Sequence, residues 1–344
     1  GRRIQLRGGA RGAHREGPGA AGDELVNGVQ PSGLVVVNKP SGPTSHDVVD
    51  RLRRVYKTSK VGHGGTLDPA ATGVLLVGVG KGTRVLNFLQ NLPKAYKAVV
   101  KFGVTTSSYD SAGEVLSTSD CCLTLTEIER AASRFVGEIS QLPPMYSAVK
   151  VGGEPLYRAA RRGEEVSRSP RTVRIYELKI ESFNDESQEA TLFVRCSSGT
   201  YIRSLAFDLG EELGCGAHLA QLTRLAIGSF GLEEAFELEE LEARPGEAAR
   251  ALLTIRQALR DFPQLVVGGE DFDAVKHGRP LAPAGVPHRP GELPMANPGR
   301  PGDRPPHEAG MTAGIPVAIV GPGGDVIAIY RRSATGLKPA AVLV

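Results

Sequence analysis

Hydrophobic positions along the chain change period repeatedly, and each change predicts an element. Residues 34–37 form a short apolar run ending at Asn38-Lys39-Pro40, after which Val48, Val49, Leu52, Val55 and Tyr56 recur at helical spacing. Thr44-Ser45-His46-Asp47 opens that helix, with Thr44 and Asp47 placed for a capping-box-like start. The stretch 61–69 is too glycine-rich for a helix or a central strand and predicts a shaped loop leading into a buried strand over 74–79. Residues 81–90 read as helical, 95–103 alternate like a strand, and 126–135 predict a helix stopped near Gly137. Alternation returns over 173–183 and 190–197, with Leu192, Val194 and Cys196 on one face. Directly after Gly199-Thr200-Tyr201, the residues Ile202, Leu205, Ala206, Leu209 and Leu213 supply a helical stripe, and helical patterns over 233–241 and 247–261 follow.

Strands and helices are mixed without the regular alternation of a doubly wound fold. The pattern therefore predicts an α+β domain over 33–262, built on a mixed, largely antiparallel sheet flanked by helices. A small β-rich unit over 263–344 begins near Leu265, is interrupted by a Pro/Gly-rich insertion over 280–316, and resumes at 317–320 and 326–330. Residues 1–33 hold five arginines and nine glycines without hydrophobic periodicity, so 1–32 is expected to be a disordered Gly/Arg-rich leader. The insertion is expected to be disordered for the same reason, and no internal repeat is present.

Composition sharpens this picture in a few places. A length of 344 residues suits about two domains, and the net charge of +3 neither demands nor forbids a polyanionic partner. The 43 glycines and 24 prolines are concentrated in the leader and the insertion, leaving an ordinary globular remainder. Cys121, Cys122, Cys196 and Cys215 have neither metal-type pairing nor the density of a secreted scaffold, which points to reduced thiols in a cytoplasmic enzyme. The apolar run 74–79 is far too short to span a bilayer, so no membrane role is expected. Aromatics are only 5 % and tryptophan is absent, which argues against a binder of single strands through many stacking sites.

Asp68 is the most informative single residue, because a carboxylate between tight-turn glycines and a proline is held by backbone geometry. An isolated Asp-Pro would be read as an Asx-turn. The surrounding string, Gly62-His63-Gly64-Gly65-Thr66-Leu67-Asp68-Pro69-Ala70-Ala71-Thr72-Gly73, closely resembles the signature of the TruB family of tRNA pseudouridine synthases. Asn38-Lys39-Pro40 with Gly42, Thr44 and Ser45, then Tyr96, Met145-Tyr146-Ser147-Ala148, Gly199-Thr200-Tyr201-Ile202-Arg203 and Gly214-Cys215-Gly216-Ala217-His218 follow in family order. The resemblance covers about residues 33–230; beyond it, the 263–344 unit only looks like the PUA-type RNA-binding module of such enzymes.

The resemblance implies the pseudouridine synthase fold and isomerisation of uridine at position 55 of the tRNA T-loop, with no cofactor and no metal. It makes Asp68 the catalytic carboxylate beside the ribose, Arg203 its guanidinium partner and Tyr96 the residue stacked on the flipped uracil. Whether Asp68 attacks the ribose, attacks the base or promotes elimination stays open. His63 is implied as an RNA contact, Tyr201 and Leu222 as walls of the uracil pocket, and Lys39 and Pro40 as supports of the active-site loop at the substrate. The segment 145–174, with Lys150, Arg158, Arg161, Arg162, Arg168, Arg171 and Arg174, corresponds to a thumb that closes on the T-loop. Arg161 and Arg162 are its candidate phosphate contacts, and Arg84, outside the segment, is a further one. The implied partner is the T-arm of tRNA, engaged by a monomer without an obligatory protein partner. A tRNA-folding chaperone role and a catalytically silent RNA-binding paralogue are the alternative readings. The first can coexist with catalysis, and the presence of Asp68, Tyr96 and Arg203 disfavours the second.

Overall fold

The computed structural model describes residues 31–281 and 314–344, except residues 148, 165, 334 and 335. The first apolar run becomes β1 (Gly33–Lys39), buried along almost its whole length. Helix α1 (Ser45–Val55) follows and starts at the Thr44/Asp47 capping box. Next come β2 (Val61–His63) and β3 (Thr72–Val79). β3 is covered on both faces, which is why its sequence shows a continuous apolar run instead of alternation. The stretch expected to be all loop contains β2, because the part of β3 from Val77 to Val79 offers an edge on which Val61, Gly62 and His63 pair.

β4 (Lys94–Phe102) alternates between buried and exposed positions and lies between Ala217–Ile227 and Glu189–Cys196, antiparallel to both. The main sheet runs in the order Phe236–Glu237, β1, β3, Ala217–Ile227, β4, Glu189–Cys196, Arg171–Asn184, Gly137–Gln141. Phe236–Glu237 is parallel to β1, and β3 to Ala217–Ile227; the other pairings along this path are antiparallel. This is the α+β, mixed and largely antiparallel arrangement that the pattern predicts. Ala217–Ile227 joins the two halves of the sheet, meeting β3 only at Thr223/Thr72 and Arg224/Gly73. Gly73 has φ +103°, and a Cβ there would sit 2.2 Å from the Arg224 carbonyl oxygen, so this junction requires glycine.

Helix Ile202–Glu212 buries Ile202, Leu205, Ala206 and Leu209 on the sheet, and Leu125–Ser133 buries Ile128, Ala131 and Ala132 beside it. The single helix expected over 247–261 is instead two, Pro245–Arg250 and Ile255–Ala258. Between them Leu253 exchanges both backbone hydrogen bonds with Leu34, and Thr254 caps the second helix, so a long-range pairing overrides the local period.

Beyond residue 262 four strands form a second sheet in the order Gln264–Val266, Pro316–Val320, Val326–Ser333, Gly336–Val342, together with a helix, Gly269–Lys276, that the pattern did not signal. The ends of the expected insertion are structured. Leu281 is buried and bridges Leu337, and Pro316 begins a strand; residues 282–313 and the leader 1–30 lie outside the described residues. This unit does not stand apart from the main domain, because Ala318, Val320, Ile329 and Leu343 share one core with Leu34, Val36, Val74, Phe88 and Leu89. Deleting residues 263–344 uncovers that face, and each newly exposed large apolar side chain costs about 1.5–3 kcal/mol. The truncated chain is expected to lose about 10 °C or more in thermal midpoint by calorimetry. An unchanged midpoint would show that the two cores do not support each other.

Candidate active site

Asp68 sits in the loop between β2 and β3, and every neighbouring residue in that loop is tied down. Gly65 (φ +113°) turns the chain, and the Gly65 and Thr66 carbonyls accept from the Arg224 guanidinium at 3.2 and 3.3 Å. Leu67 is held at both backbone atoms by Ser45 Oγ, at 2.9 and 3.1 Å. The Pro69 carbonyl accepts from Lys39 Nζ at 3.0 Å and from the Gly42 N–H at 2.9 Å. Lys39 is fully buried, and its ammonium also donates to the carbonyls of Pro40 and Pro43 at 2.8 Å each. Burial pulls its pKa down to about 8. Lys39 therefore does not itself reach the surface to touch a substrate, and with Pro40 it braces the loop from beneath, as the support that the resemblance implied.

Among the described residues the Asp68 carboxylate has one partner, Arg203 at the start of helix Ile202–Glu212. Arg203 Nε lies 3.0 Å from one carboxylate oxygen and Nη2 lies 3.4 Å from the other. The Arg203 side chain is only 7 % exposed, whereas that of Asp68 is 42 % exposed, so the pair is buried on the arginine side and open on the carboxylate side. Nη2 also donates to the Tyr146 carbonyl at 2.7 Å and Nη1 to the Ser108 carbonyl at 3.3 Å. Nη1 further lies 3.6 Å from a second carboxylate, Asp110. Asp110 is fixed by the Ser108 hydroxyl at 2.5 Å and the Ala112 N–H at 3.0 Å. The protein crowded around Asp68 raises its pKa above the usual carboxylate range. Arg203 opposes that rise and Asp110 adds to it.

Tyr96 on β4 stands opposite Arg224, and Leu222 lies two residues earlier on the same face as Arg224. Tyr96 is buried and Leu222 half-buried, and burial pushes the Tyr96 phenol upward in pKa. Tyr201 precedes the Arg203 helix, its backbone N–H and carbonyl both bonded to the buried side chain of Gln141 at 2.7 and 3.0 Å. His63, at the end of β2, is half-buried; burial lowers its pKa, and its Nδ1 is enclosed with no hydrogen-bond partner among the described residues.

The structure redistributes the basic candidates. Arg84 is exposed and donates to the Val342 carbonyl at 3.2 Å, linking the main domain to the last strand. In the expected thumb a short hairpin leads into helix Leu156–Arg161. The Arg161 side chain lies outside what is described. Arg162 is forked between Glu154, at 2.7 and 3.0 Å, and Glu164, at 2.9 and 2.8 Å. Arg162 is thus not the free phosphate contact expected of it, because two nearby carboxylates outnumber its charge. Arg168 donates to the Pro143 carbonyl, and Arg174 pairs with Glu138. Lys150, Arg158 and Arg171 are exposed and make no hydrogen bond or ion pair among the described residues. Replacing Arg162 by Gln is expected to leave the salt dependence of RNA binding nearly unchanged. A fall of about 0.7–0.9 in the log–log slope would show that Glu154 and Glu164 release it to a phosphate.

Two residues of this constellation escaped the sequence reading. Asp110 sits in Tyr109-Asp110-Ser111-Ala112-Gly113, a turn whose only signal is an Asp followed by small residues. Arg224 interrupts an otherwise core-facing strand row, Leu222, Arg224, and such a charge at an apolar position is a readable signal. No group of three or more His, Cys, Asp or Glu able to hold a metal occurs among the described residues.

Comparison with known proteins shows the family and the fold. The model of the TruB family pseudouridylate synthase N-terminal domain matches residues 53–202, and that of the tRNA pseudouridylate synthase B C-terminal domain matches residues 203–262. The chain is 45 % identical over 260 residues to tRNA pseudouridine synthase B of Mycobacteroides abscessus, covering 74 % of this chain and 86 % of that protein. It is 44 % identical over 246 residues to tRNA pseudouridine synthase B of Thermotoga maritima, covering 72 % and 78 %. Among solved structures, a Cbf5–Nop10–Gar1 complex aligns with TM-score 0.67 and 26 % identity over 91 % of this chain and 85 % of that one. An H/ACA ribonucleoprotein bound to a substrate RNA containing 2'-deoxyuridine aligns with TM-score 0.65 and 23 % identity over the same shares, which bears on the fold alone. No helix among the described residues is long and apolar enough to cross a membrane.

Proposed function

The chain belongs to the TruB family and isomerises uridine in tRNA to pseudouridine, and from that premise we propose that its target is uridine 55 of the T-loop and that Asp68 is the carboxylate at the ribose. The observation that carries the assignment of Asp68 is its setting: a loop clamped at residues 65–67 and 69 around one solvent-facing carboxylate whose inner side is held by a buried arginine. Such a carboxylate needs no reorganisation when positive charge develops at C1′ as the N1–C1′ bond breaks. Arg203 keeps it ionised, and Asp110 and the Ser108 and Tyr146 carbonyls hold Arg203 in register.

The uracil must leave its stack before Asp68 can reach C1′, at a cost of a few kcal/mol. Tyr96, Leu222 and Tyr201 form the proposed walls for the extruded base, and His63 the contact beside it. Among the described residues of the thumb, Lys150, Arg158 and Arg171 are the exposed cations proposed to meet the T-arm backbone, and the C-terminal sheet is proposed as a PUA-like accessory unit. The solved relatives named above include complexes with other proteins; this chain is proposed to act in the cytoplasm as a monomer, on the T-arm alone.

The reading is tested with an unmodified T-arm stem-loop tritiated at C5 of uridine 55. Joining C5 to C1′ displaces the C5 hydrogen, so tritium should be released to water with single-exponential kinetics. A stem-loop with its label only at other uridines should release none, and release from those positions would refute the target assignment.

A further inference from the structure

Arg224 is fully buried, yet it makes no ion pair among the described residues. Its guanidinium donates to three backbone carbonyls, Val74 at 2.7 Å, Thr66 at 3.3 Å and Gly65 at 3.2 Å. Two of these carbonyls belong to the turn leading to Asp68, and the third lies on β3 just beyond it. Tyr96 is the residue directly opposite Arg224 in the sheet, and the charge of the guanidinium acts on its phenol. Carbonyl dipoles alone offset a buried charge incompletely. The cation therefore calls for anionic neighbours, and the two groups whose charge it feels are the Asp68 carboxylate and the Tyr96 phenol.

We propose that Arg224 is a positioning residue of the isomerisation, a buried cation that fixes the turn carrying Asp68 and favours the anionic form of Tyr96, the form able to accept the proton leaving uracil C5. This rests on the reading that Asp68 and Tyr96 face the reacting uridine. Once the C5–C1′ bond has formed, C5 still carries its hydrogen. The phenolate oxygen takes that proton, the C–H electron pair becomes the C5=C6 bond, the C6=N1 pair moves to N1, and N1 gains a proton from water. The phenol then returns its proton to solvent. Besides Arg224, the titratable groups facing Tyr96 are Cys196 on the neighbouring strand and Asp68 on the loop; both oppose its ionisation, as does burial, so Arg224 is the group that favours it.

The test measures single-turnover rates on the T-arm stem-loop from about pH 6 to about pH 9.5 for Arg224→Lys and Arg224→Gln, each with and without Tyr96→Phe. Arg224→Gln is expected to lower the rate near pH 7 by about 10²-fold while stem-loop affinity stays within about threefold, and its rate should keep climbing to higher pH than the wild type. Arg224→Lys should restore part of the rate. In the Tyr96→Phe background Arg224→Gln should cost less than about tenfold more, because the group it acts on is gone. A pH-independent loss of equal size in both backgrounds overturns the role toward Tyr96, and an unchanged rate overturns the whole proposal. If Arg224→Gln loses its fold, Arg224→Lys is decided by the same two readouts: an upward shift of the pH profile that Tyr96→Phe abolishes supports the proposal, and a parallel profile overturns it. Wild type and Asp68→Asn run alongside. Turnover by Asp68→Asn would refute the underlying reading, whereas indifference to Arg224 with these controls intact refutes only this inference.

Discussion

Asp68→Asn is expected to lower single-turnover isomerisation by at least about 10³-fold, equivalent to roughly 4 kcal/mol of transition-state stabilisation, with T-arm affinity changed little. The substitution preserves size and removes only the charge that meets C1′. The clamps on residues 65–67 and 69 all act through backbone atoms, so the loop should keep its shape. Stability should not fall at neutral pH. Asp68 has a folded pKa above its unfolded value, so the stability this group contributes is complete below the unfolded value and lost as pH rises through the folded one. Above that window the carboxylate burdens the fold, and Asn removes the burden while Arg203 keeps Asp110 and two carbonyls. A thermal midpoint equal to or above that of the wild type, with no turnover, separates catalysis from binding; any RNA-folding activity would survive in this variant. A loss of T-arm binding with the activity would show that Asp68 acts through substrate affinity.

Arg203→Gln carries the second large effect. Removing Arg203 leaves Asp68 and Asp110 without their shared cation, and because the Asp68 side chain is 42 % exposed, solvent screening keeps the loss of stability below the about 3–5 kcal/mol of a fully buried pair. Two carboxylates then face each other across the vacated position, and the main influence holding the Asp68 pKa down is gone. The pKa of Asp68 should rise further, so the acid limb of the pH–rate profile should move to higher pH, and the rate near neutrality should fall by about 10²-fold or more. Raising the pH should recover part of that loss. A profile with the wild-type acid limb would show that Arg203 is not what keeps Asp68 ionised.

The legible parts of this molecule were those fixed locally. The Thr44/Asp47 capping box, the apolar stripe of Ile202–Glu212 and the continuous burial of β3 follow from period and capping chemistry within a few residues. The split of 247–261 was not legible, because its cause is a backbone pairing between Leu253 and Leu34, more than two hundred residues apart. The same limit governs charge. The basic run 145–174 reads as a set of available cations, but Glu154, Glu164, Glu138 and the Pro143 carbonyl engage three of them, and partners of this kind emerge only in three dimensions. At the site, Asp68, Arg203 and Tyr96 lie in distinctive strings, whereas Asp110 and Arg224 matter through what they touch. For Lys39 the string implies a support of the loop, and its three carbonyl partners show that the support is made from beneath by a buried ammonium.

The most direct test of the central claim is a position-resolved map of pseudouridine in full-length unmodified tRNA after incubation with the wild-type chain and, in parallel, with Asp68→Asn. The account predicts one new pseudouridine, at position 55, for the wild type and an unmodified map for the variant. Pseudouridine at another position, or at position 55 at comparable rates with Asp68→Asn, would contradict it.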